Sequence, residues 1–243
     1  MLFCNLLRRY SLNIKQHIHF ETIDSTNTYA RQNAENLSTP SLITADCQTA
    51  GRGRTGKSFY SPAGSGIYFT LLFEADKNFD LITPAAAVCV CRAIKKFTGK
   101  DAKIKWVNDI FLDGKKVCGI LTERFKAKDK ELTATGIGVN ITTSDFPDDL
   151  QNAGSLGLDF NHIEFAKFTA GMLLEINKNF ERTSVITEYR AGLFIIGKEI
   201  EFLQNGKIIK GTAVDINDSC NLITKTSEGL VTLSSGEVSI IMR

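Results

Sequence analysis

Residues 51–58 read GRGRTGKS and match the P-loop pattern G-x-x-x-x-G-K-[ST] at every position. A working P-loop needs a strand before it and a helix directly after it, because the helix N-terminus binds the phosphates. Here the residues after Ser58 read FYSPAGSGIYFTLLF. Pro62, Gly64 and Gly66 would break a helix there, and the apolar run behind them predicts a strand. The sequence context therefore argues against a P-loop nucleotide-binding protein.

The same stretch remains a candidate anion site. Arg52, Arg54 and Lys57 alternate with glycines between two predicted strands. Guanidinium groups bind carboxylate or phosphate in a bidentate way, and glycines give the backbone freedom to approach a ligand. The alternative is a basic loop that is merely solvated. The density of cations and glycines favours an anion site.

Composition indicates an ordinary globular protein. The chain has 243 residues, of which 43% are hydrophobic and 23% are charged, and its formal net charge is +2. That charge is too small to indicate nucleic acid or membrane binding, and no apolar run has transmembrane length. The six cysteines form no C-x-x-C pair, which favours reduced thiols and a cytoplasmic location over disulfides. We interpret the first residues, MLFCNLLRRYSLNIK, as a short N-terminal extension rather than a signal peptide.

The order of predicted elements indicates an α+β domain followed by a small β-barrel. The pattern predicts a helix after residues 24–27, strands at 42–46 and 66–74, a helix at 81–98 that stops at Gly99, a β-rich segment folded at Asp113-Gly114, and helices from 162 to 190. Three or four short strands follow, with turns at Asn205-Gly206 and in SSGE. The change of character near residue 192 predicts a domain boundary there.

A second motif, KIKWVNDIFLDGKKVCGIL at residues 103–121, places polar groups in a β context. Asp109 is a candidate ligand for Mg²⁺ or a ribose hydroxyl, although Asn108 and Asp109 also suit a plain turn. One of two adjacent lysines, Lys115 and Lys116, precedes an apolar strand and either points into a site or reaches the surface. Spacing alone does not choose between these lysines.

The remaining motif is GIGVN at residues 136–140, where glycines would let a ligand approach the backbone closely. The inventory is thus several cations, one candidate metal carboxylate and no nucleophile–base pair. It suits a reaction in which a carboxylate attacks the α-phosphate of ATP, because the protein must then hold two anions that repel each other.

Four ordered motifs resemble the bacterial biotin–protein ligases, also called biotin–[acetyl-CoA-carboxylase] ligases. They are DSTN at 24–27, QTAGRGRTGKSFYSPAGSGIYF at 48–69, KWVNDIFLDGKKVCGILTE at 105–123 and GIGVN at 136–140. The resemblance implies a mixed β-sheet catalytic domain flanked by helices at residues 1–192, and an SH3-like β-barrel at 193–243. It also implies the reaction: biotin and ATP give biotinyl-5′-AMP, and a lysine of a biotin carboxyl carrier protein then takes the biotinyl group.

The resemblance assigns roles residue by residue. The implied biotin-binding residues are Ser25, Thr26, Asn27, Gln48, Arg52, Gly53, Arg54, Lys116, Gly119 and Gly136. The implied nucleotide-binding residues are Arg54, Lys57, Phe59, Asn108, Asp109 and Asn140. Lys116, Arg54 and Asp109 would be catalytic, and Asp109 would hold Mg²⁺. The match selects Lys116 over Lys115 as the active-site lysine.

Two positions depart from the family pattern: Val107 replaces the usual proline and Phe59 the usual tryptophan. Val107 puts the local turn geometry in doubt, and Phe59 keeps a stacking face with less area. The resemblance is to members that are enzymes only, without an N-terminal DNA-binding domain, so we expect no DNA or membrane partner and a homodimer as a possible assembly. The rival interpretations are a lipoate or octanoate ligase and a catalytically inactive biotin-binding protein.

Overall fold

The computed structural model of the protein describes residues 13–74, 78–204 and 206–241. The first seven strands are β1 (Gln16–Ile23), β2 (Ser41–Gln48), β3 (Gly66–Phe73), β4 (Lys103–Lys105), β5 (Asp109–Leu112), β6 (Lys115–Ala127) and β7 (Lys130–Asn140). The helices are α1 (Thr26–Gln32), α2 (Ile82–Thr98), α3 (His162–Lys178) and α4 (Arg182–Gly192). The last five strands are β8 (Glu199–Gln204), β9 (Lys207–Ile216), β10 (Leu222–Thr226), β11 (Gly229–Leu233) and β12 (Val238–Ile240).

The first sheet has seven strands in the order β1-β2-β3-β7-β6-β5-β4. β1 and β2 are parallel and the other neighbours are antiparallel, so the sheet is mixed, as expected. Strand β3 lies near the centre and is buried along its whole length, because both of its faces are covered. Phe69 and Leu71 pack with α2 and α3 on one face, and Leu72 packs with Ala30 of α1 on the other. This alternation explains the unbroken apolar run of β3.

Helix α2 follows the sequence prediction closely. Its buried side chains are apolar and face the sheet and the other two long helices. Pro84 lies in its first turn, where a missing N–H costs nothing. Gly99 ends it in the left-handed conformation at φ 74°, with its N–H donating to Lys95 O. None of the helices in the described part of the chain is long and apolar enough to span a membrane.

The segment after residue 58 confirms that there is no P-loop fold. No helix follows the glycine loop: the chain passes through a turn at residues 63–65, and the next regular element is strand β3, which begins at Gly66. The helix that would follow a P-loop is therefore replaced by a central strand. This agrees with the proline and glycines that follow Ser58.

The C-terminal sheet is antiparallel, with five strands in the order β11-β10-β9-β8-β12, one or two more than predicted. The mixed sheet with flanking helices and this small all-β unit confirm the predicted fold class. The exact division at residues 192 and 193 stays a prediction. Of the other expectations, most of the N-terminal extension (residues 1–12) and Asn205 of a predicted turn lie outside the described residues.

Candidate functional site

A cavity of about 310 Å³ lies where the predicted motifs converge. Its wall comes from the start of α1, the glycine loop at residues 51–58, strands β5, β6 and β7, and the turn before β12. The predicted site residues in this wall are Ser25, Thr26, Asn27, Gln48, Arg52, Gly53, Arg54, Lys57, Phe59, Asn108, Asp109, Lys116, Gly119 and Gly136. Segments that are distant in sequence thus form one site.

One end of the cavity is a buried polar network at the start of α1. Ser25 caps the helix by accepting from the Thr28 N–H. Gln48 Oε1 accepts from the Thr26 N–H at 2.9 Å and from the Thr26 hydroxyl at 3.1 Å. On its other side, Gln48 Nε2 donates to the Ser61 hydroxyl at 3.0 Å. The orientation of the Gln48 amide is therefore fixed from both sides.

Asn27 is held equally firmly beside Gly136. Its Nδ2 donates to Leu121 O at 3.2 Å and to Glu123 Oε2 at 3.0 Å, and its Oδ1 accepts from the Thr70 hydroxyl at 2.5 Å. A Cβ atom on Gly136 would collide with Asn27 Oδ1. Only glycine at position 136 lets the Asn27 amide lie this close to strand β7.

Each of the three cationic side chains of the glycine loop contacts a residue outside the loop. Arg52 pairs with Glu123 of β6, with Nη2 3.0 Å from Oε1. Arg54 Nη1 donates to Asn108 Oδ1 at 3.2 Å. Lys57 Nζ lies 2.5 Å from an oxygen of Glu237, in the turn before β12. The loop is therefore connected both to the main sheet and to the C-terminal sheet.

Lys116 and Asp109 form the charged end of the cavity. Lys116 Nζ lies 2.6 Å from Asp109 Oδ1, although the approach does not have hydrogen-bond geometry. Within the described part of the chain, this buried oxygen has no hydrogen-bond partner. Lys115 instead donates to Gln151 O at 2.7 Å at the surface. The two lysines thus point in different directions, and it is Lys116 that reaches the cavity.

A third lysine of this end, Lys105, was not predicted. It lines the cavity from β4, and burial lowers the pKa of its ammonium group, an effect that nearby Asp109 opposes. Its sequence signal was available, since Lys105 directly precedes Trp106 in the second motif. Glu237 was missed for another reason: it comes from a separate β-rich segment. Hydrogen bonding from Lys57 holds the pKa of the Glu237 carboxyl below its ordinary value.

Phe59 forms an aromatic part of the wall. Its ring lies against Gly119 of β6 and Gly138 of β7, and a Cβ atom on Gly119 would come within 3.0 Å of it. A Cβ atom on Gly138, the second glycine of the GIGVN motif, would collide with the same ring. The Phe59 ring, which we expected to contact the nucleotide, therefore lies directly on Gly119, which we expected to line the biotin pocket.

The Trp106–Asn108 turn is fixed from outside the cavity. The Trp106–Val107 peptide bond is cis. The Trp106 indole N–H donates to Cys220 O at 2.8 Å, and the buried Tyr189 hydroxyl donates to Val107 O at 2.8 Å. Val107, which stands where the family pattern has proline, thus contributes its carbonyl to the packing of helix α4.

Asn140 is the predicted site residue that does not line the cavity. Its Nδ2 donates to Gly154 O at 3.0 Å, and its Oδ1 is buried without a hydrogen-bond partner in the described residues. The side chain therefore links the end of β7 to the following loop. Its assignment to nucleotide binding has no support from this geometry.

The described residues do not form a metal centre by themselves. They contain no group of three His, Cys, Asp or Glu side chains that could hold a metal ion. The buried, unpartnered Oδ1 of Asp109 could supply one ligand, but the Lys116 ammonium already faces it. Mg²⁺ commonly binds one or two carboxylates together with substrate phosphates.

Comparisons with known proteins agree on one family. Residues 19–140 match the Biotin/lipoate A/B protein ligase family, and residues 195–240 match the Biotin protein ligase C terminal domain. The bifunctional ligase/repressor BirA of Bacillus spizizenii is 32% identical over 241 residues, which cover 93% of this chain and 74% of that protein. A biotin–[acetyl-CoA-carboxylase] ligase of Paracoccus denitrificans is 36% identical over 124 residues, covering 49% of this chain and 51% of that protein.

Among solved structures, the biotin protein ligase from Aquifex aeolicus in complex with biotin and ATP superposes with a TM-score of 0.78. It is 28% identical and the alignment covers 95% of this chain and 100% of that chain. The similarity therefore includes both the main sheet and the C-terminal sheet.

Proposed function

The chain belongs to the biotin/lipoate A/B protein ligase family, and we propose that its cavity is the active site of a biotin–protein ligase. The enzyme activates biotin with ATP to biotinyl-5′-AMP and transfers the biotinyl group to a specific lysine of a biotin carboxyl carrier protein. The observation that carries the proposal is the convergence of four separate sequence motifs on one cavity wall. The matching biotin ligase C-terminal domain favours biotin over lipoate as the substrate.

In the first step the biotin carboxylate attacks the α-phosphorus of ATP, and the bond to the bridging oxygen of pyrophosphate breaks. Both reactants are anionic, so their mutual repulsion must be offset. The charged end of the cavity, where Lys116 faces Asp109, also contains Arg54 and Lys105, so three cationic side chains are available there. Lys116 can exchange its contact with Asp109 for the biotin carboxylate and the α-phosphate, where negative charge develops. Mg²⁺ bound to the ATP phosphates would supply further charge neutralisation, and Asp109 could give it one oxygen ligand.

In the second step the amine of the carrier lysine attacks the biotinyl carbonyl. The carbonyl–phosphate bond breaks, AMP leaves and the amine loses a proton. The residues that line the cavity contribute by holding the mixed anhydride in place and by excluding water from it. Phe59 and the glycine loop line the cavity, and in the proposed reaction they would limit the access of water to the anhydride.

The biotin end of the cavity suits a small ring with several hydrogen-bonding groups. Thr26, Asn27 and Gln48 are oriented by bonds that leave little rotational freedom. A binding site whose polar groups are already fixed loses less entropy when its ligand arrives. We assign the ureido ring of biotin to this end and the adenylate to the charged end.

The defining experiment measures pyrophosphate release from ATP by the purified protein before any carrier is added. Biotin should trigger release, and lipoate should not. Release with lipoate and none with biotin would overturn the assignment in favour of a lipoate ligase. Transfer is then tested by adding a biotin carboxyl carrier protein and detecting the biotinylated lysine by mass spectrometry.

We further propose a cytoplasmic enzyme that does not recognise DNA or a membrane and that can form a homodimer. The described cysteines are free, which suits a reducing compartment. The formal net charge of +2 gives little attraction to a phosphate backbone. A gel shift that survives physiological salt and competitor DNA would contradict the DNA statement, and sedimentation analysis measures the assembly.

A further inference from the structure

Glu123 of β6 does not line the cavity, yet its carboxylate accepts three hydrogen bonds from two residues that do. Its Oε1 accepts from Arg52 Nη2 at 3.0 Å, and its Oε2 accepts from Arg52 Nη1 at 3.2 Å. Oε2 also accepts from Asn27 Nδ2 at 3.0 Å. One carboxylate therefore joins a helix start to the glycine loop, although Glu123 is not among the residues that line the cavity.

The Asn27 contact is part of a closed arrangement. Asn27 is 4% exposed, and both hydrogens of its amide are used, one on Leu121 O and one on Glu123. Its oxygen accepts from Thr70. If Glu123 no longer accepted from Nδ2, a buried donor would lose its partner, and the amide would be free to rotate towards the cavity.

The Arg52 contact has the two-pronged geometry in which a guanidinium binds a carboxylate most strongly. Exposed pairs of this kind usually contribute little. This pair differs because the Glu123 side chain is only 21% exposed and is already oriented by Asn27. Of the loop's three cations, Arg52 is thus the one attached to the same carboxylate as a buried residue of the cavity.

We propose that Glu123 is a positioning residue. By binding both Arg52 of the glycine loop and the Asn27 amide, its carboxylate fixes their relative position and so shapes the biotin end of the cavity. Glu123 acts through Asn27 and Arg52 and does not touch the reacting atoms. The part of the inference that concerns biotin rests on the proposed function, whereas the part that concerns the loop does not.

The test compares Glu123→Gln with Glu131→Gln. Glutamine keeps the size of the side chain, but its NH₂ group must face either Arg52 or Asn27, and both of these are donors. Glu131 of β7 pairs with Arg124 on the surface, so it is a matched loss of one charge and one ion pair on the same sheet. Glu123→Asp keeps the charge on a shorter side chain and should give an intermediate result.

The first readout needs no substrate. Trypsin should cleave ligand-free Glu123→Gln after Arg52 about 10-fold faster than the wild type or Glu131→Gln, since the Arg52 side chain is released. The second readout is steady-state pyrophosphate release. Glu123→Gln should raise the biotin KM about 10-fold while the ATP KM and kcat change less than about two-fold.

Unchanged cleavage after Arg52 in Glu123→Gln would overturn the proposal, and so would a fall in kcat with an unchanged biotin KM. If the wild type releases no pyrophosphate with biotin but Glu123→Gln is cleaved faster, the proposed function fails and the loop-holding role of Glu123 stands. The two conclusions therefore fail separately.

Discussion

The two ends of the cavity differ in the interactions that hold their side chains in place. At the polar end, Ser25, Thr26 and Asn27 are at most 4% exposed and are held by hydrogen bonds to backbone groups and to the side chains of neighbouring residues. At the charged end, the side chains of Lys116 and Lys57 are 34% and 64% exposed, and each has a carboxylate partner. The first end is rigid before a ligand arrives, whereas the second consists of pairs that water can separate.

This difference corresponds to what each end is proposed to bind. A neutral ring is selected by donors and acceptors at fixed positions, and a loosened amide would lose that selectivity. A polyanion is bound by charge, and cations that exchange one oxygen partner for another can follow it through a reaction. Substitutions at the polar end should therefore act through geometry, and those at the charged end through charge and salt.

The largest expected effect comes from removing the Lys116 ammonium. Lys116→Ala should reduce kcat for pyrophosphate release by roughly 100-fold or more, because a positioned charge is lost where negative charge develops. Lys115→Ala is the matched control, since Lys115 donates to Gln151 O at the surface. Equal activity of the two variants would show that Lys116 is not the active-site lysine.

Two glycine substitutions separate the rigid wall from the adjustable one. Gly136→Ala places a methyl group against the fixed Asn27 amide, and Gly119→Ala places one 3.0 Å from the half-buried Phe59 ring. We expect Gly136→Ala to raise the biotin KM at least ~10-fold and Gly119→Ala to raise it less, since Phe59 can move. Steady-state pyrophosphate release at varied biotin concentration measures both KM values, and the reverse order would contradict the assignment of a rigid polar end.

Ionic strength should distinguish the two substrates. A tenfold increase in salt concentration, from about 0.05 to about 0.5 M, shortens the Debye length roughly threefold. The attraction between exposed charges is weakened as a result. The ATP KM should rise several-fold while the biotin KM changes little. If both KM values rise together, the polar end is not independent of the charged end.

The smallest effect is expected at Glu237, whose pKa is lowered from its ordinary value of 4.5 mainly by hydrogen bonding from Lys57. A carboxylate with a lowered folded-state pKa contributes stability above the unfolded-state pKa and loses it as pH falls through the folded-state pKa. Because the pair is exposed, Glu237→Gln should lower Tm at pH 7 by no more than about 2 °C. The difference should disappear as the pH falls below the folded-state pKa of Glu237. Thermal melts over a series of pH values from 7 downwards measure it, and a gap that persists in acid would contradict the pairing.

The features that sequence predicted well are those encoded locally. Gly99 ends α2 because a left-handed residue is needed there, and Asp113 and Gly114 turn the β5–β6 hairpin with φ values of 49° and 77°. The unbroken apolar run after Gly66 predicted a strand. In the structure this strand is β3, and it is buried on both faces. In each of these cases the determining residues are neighbours in the chain.

The features that sequence missed depend on segments that meet only in the folded chain. Glu237 reaches Lys57 from 180 residues away, and the hydrogen bond from Asn140 to Gly154 O joins the end of β7 to the loop that follows it. Lys115 and Lys116 could not be told apart by spacing, because their direction depends on the loop that follows β7. The family resemblance supplied what local pattern could not in the case of Lys116.

The hydrogen bond from the Trp106 indole to Cys220 O also limits how this protein can be recombined. It joins the segment beside the cavity to the C-terminal sheet, and the buried side chains around Trp106 continue into Ile200, Phe202 and Leu222. A gene cut near codon 193 would therefore leave two incomplete halves rather than two transferable modules. A chimaera with a homologous ligase would have to inherit the Trp106 and Cys220 segments from the same parent.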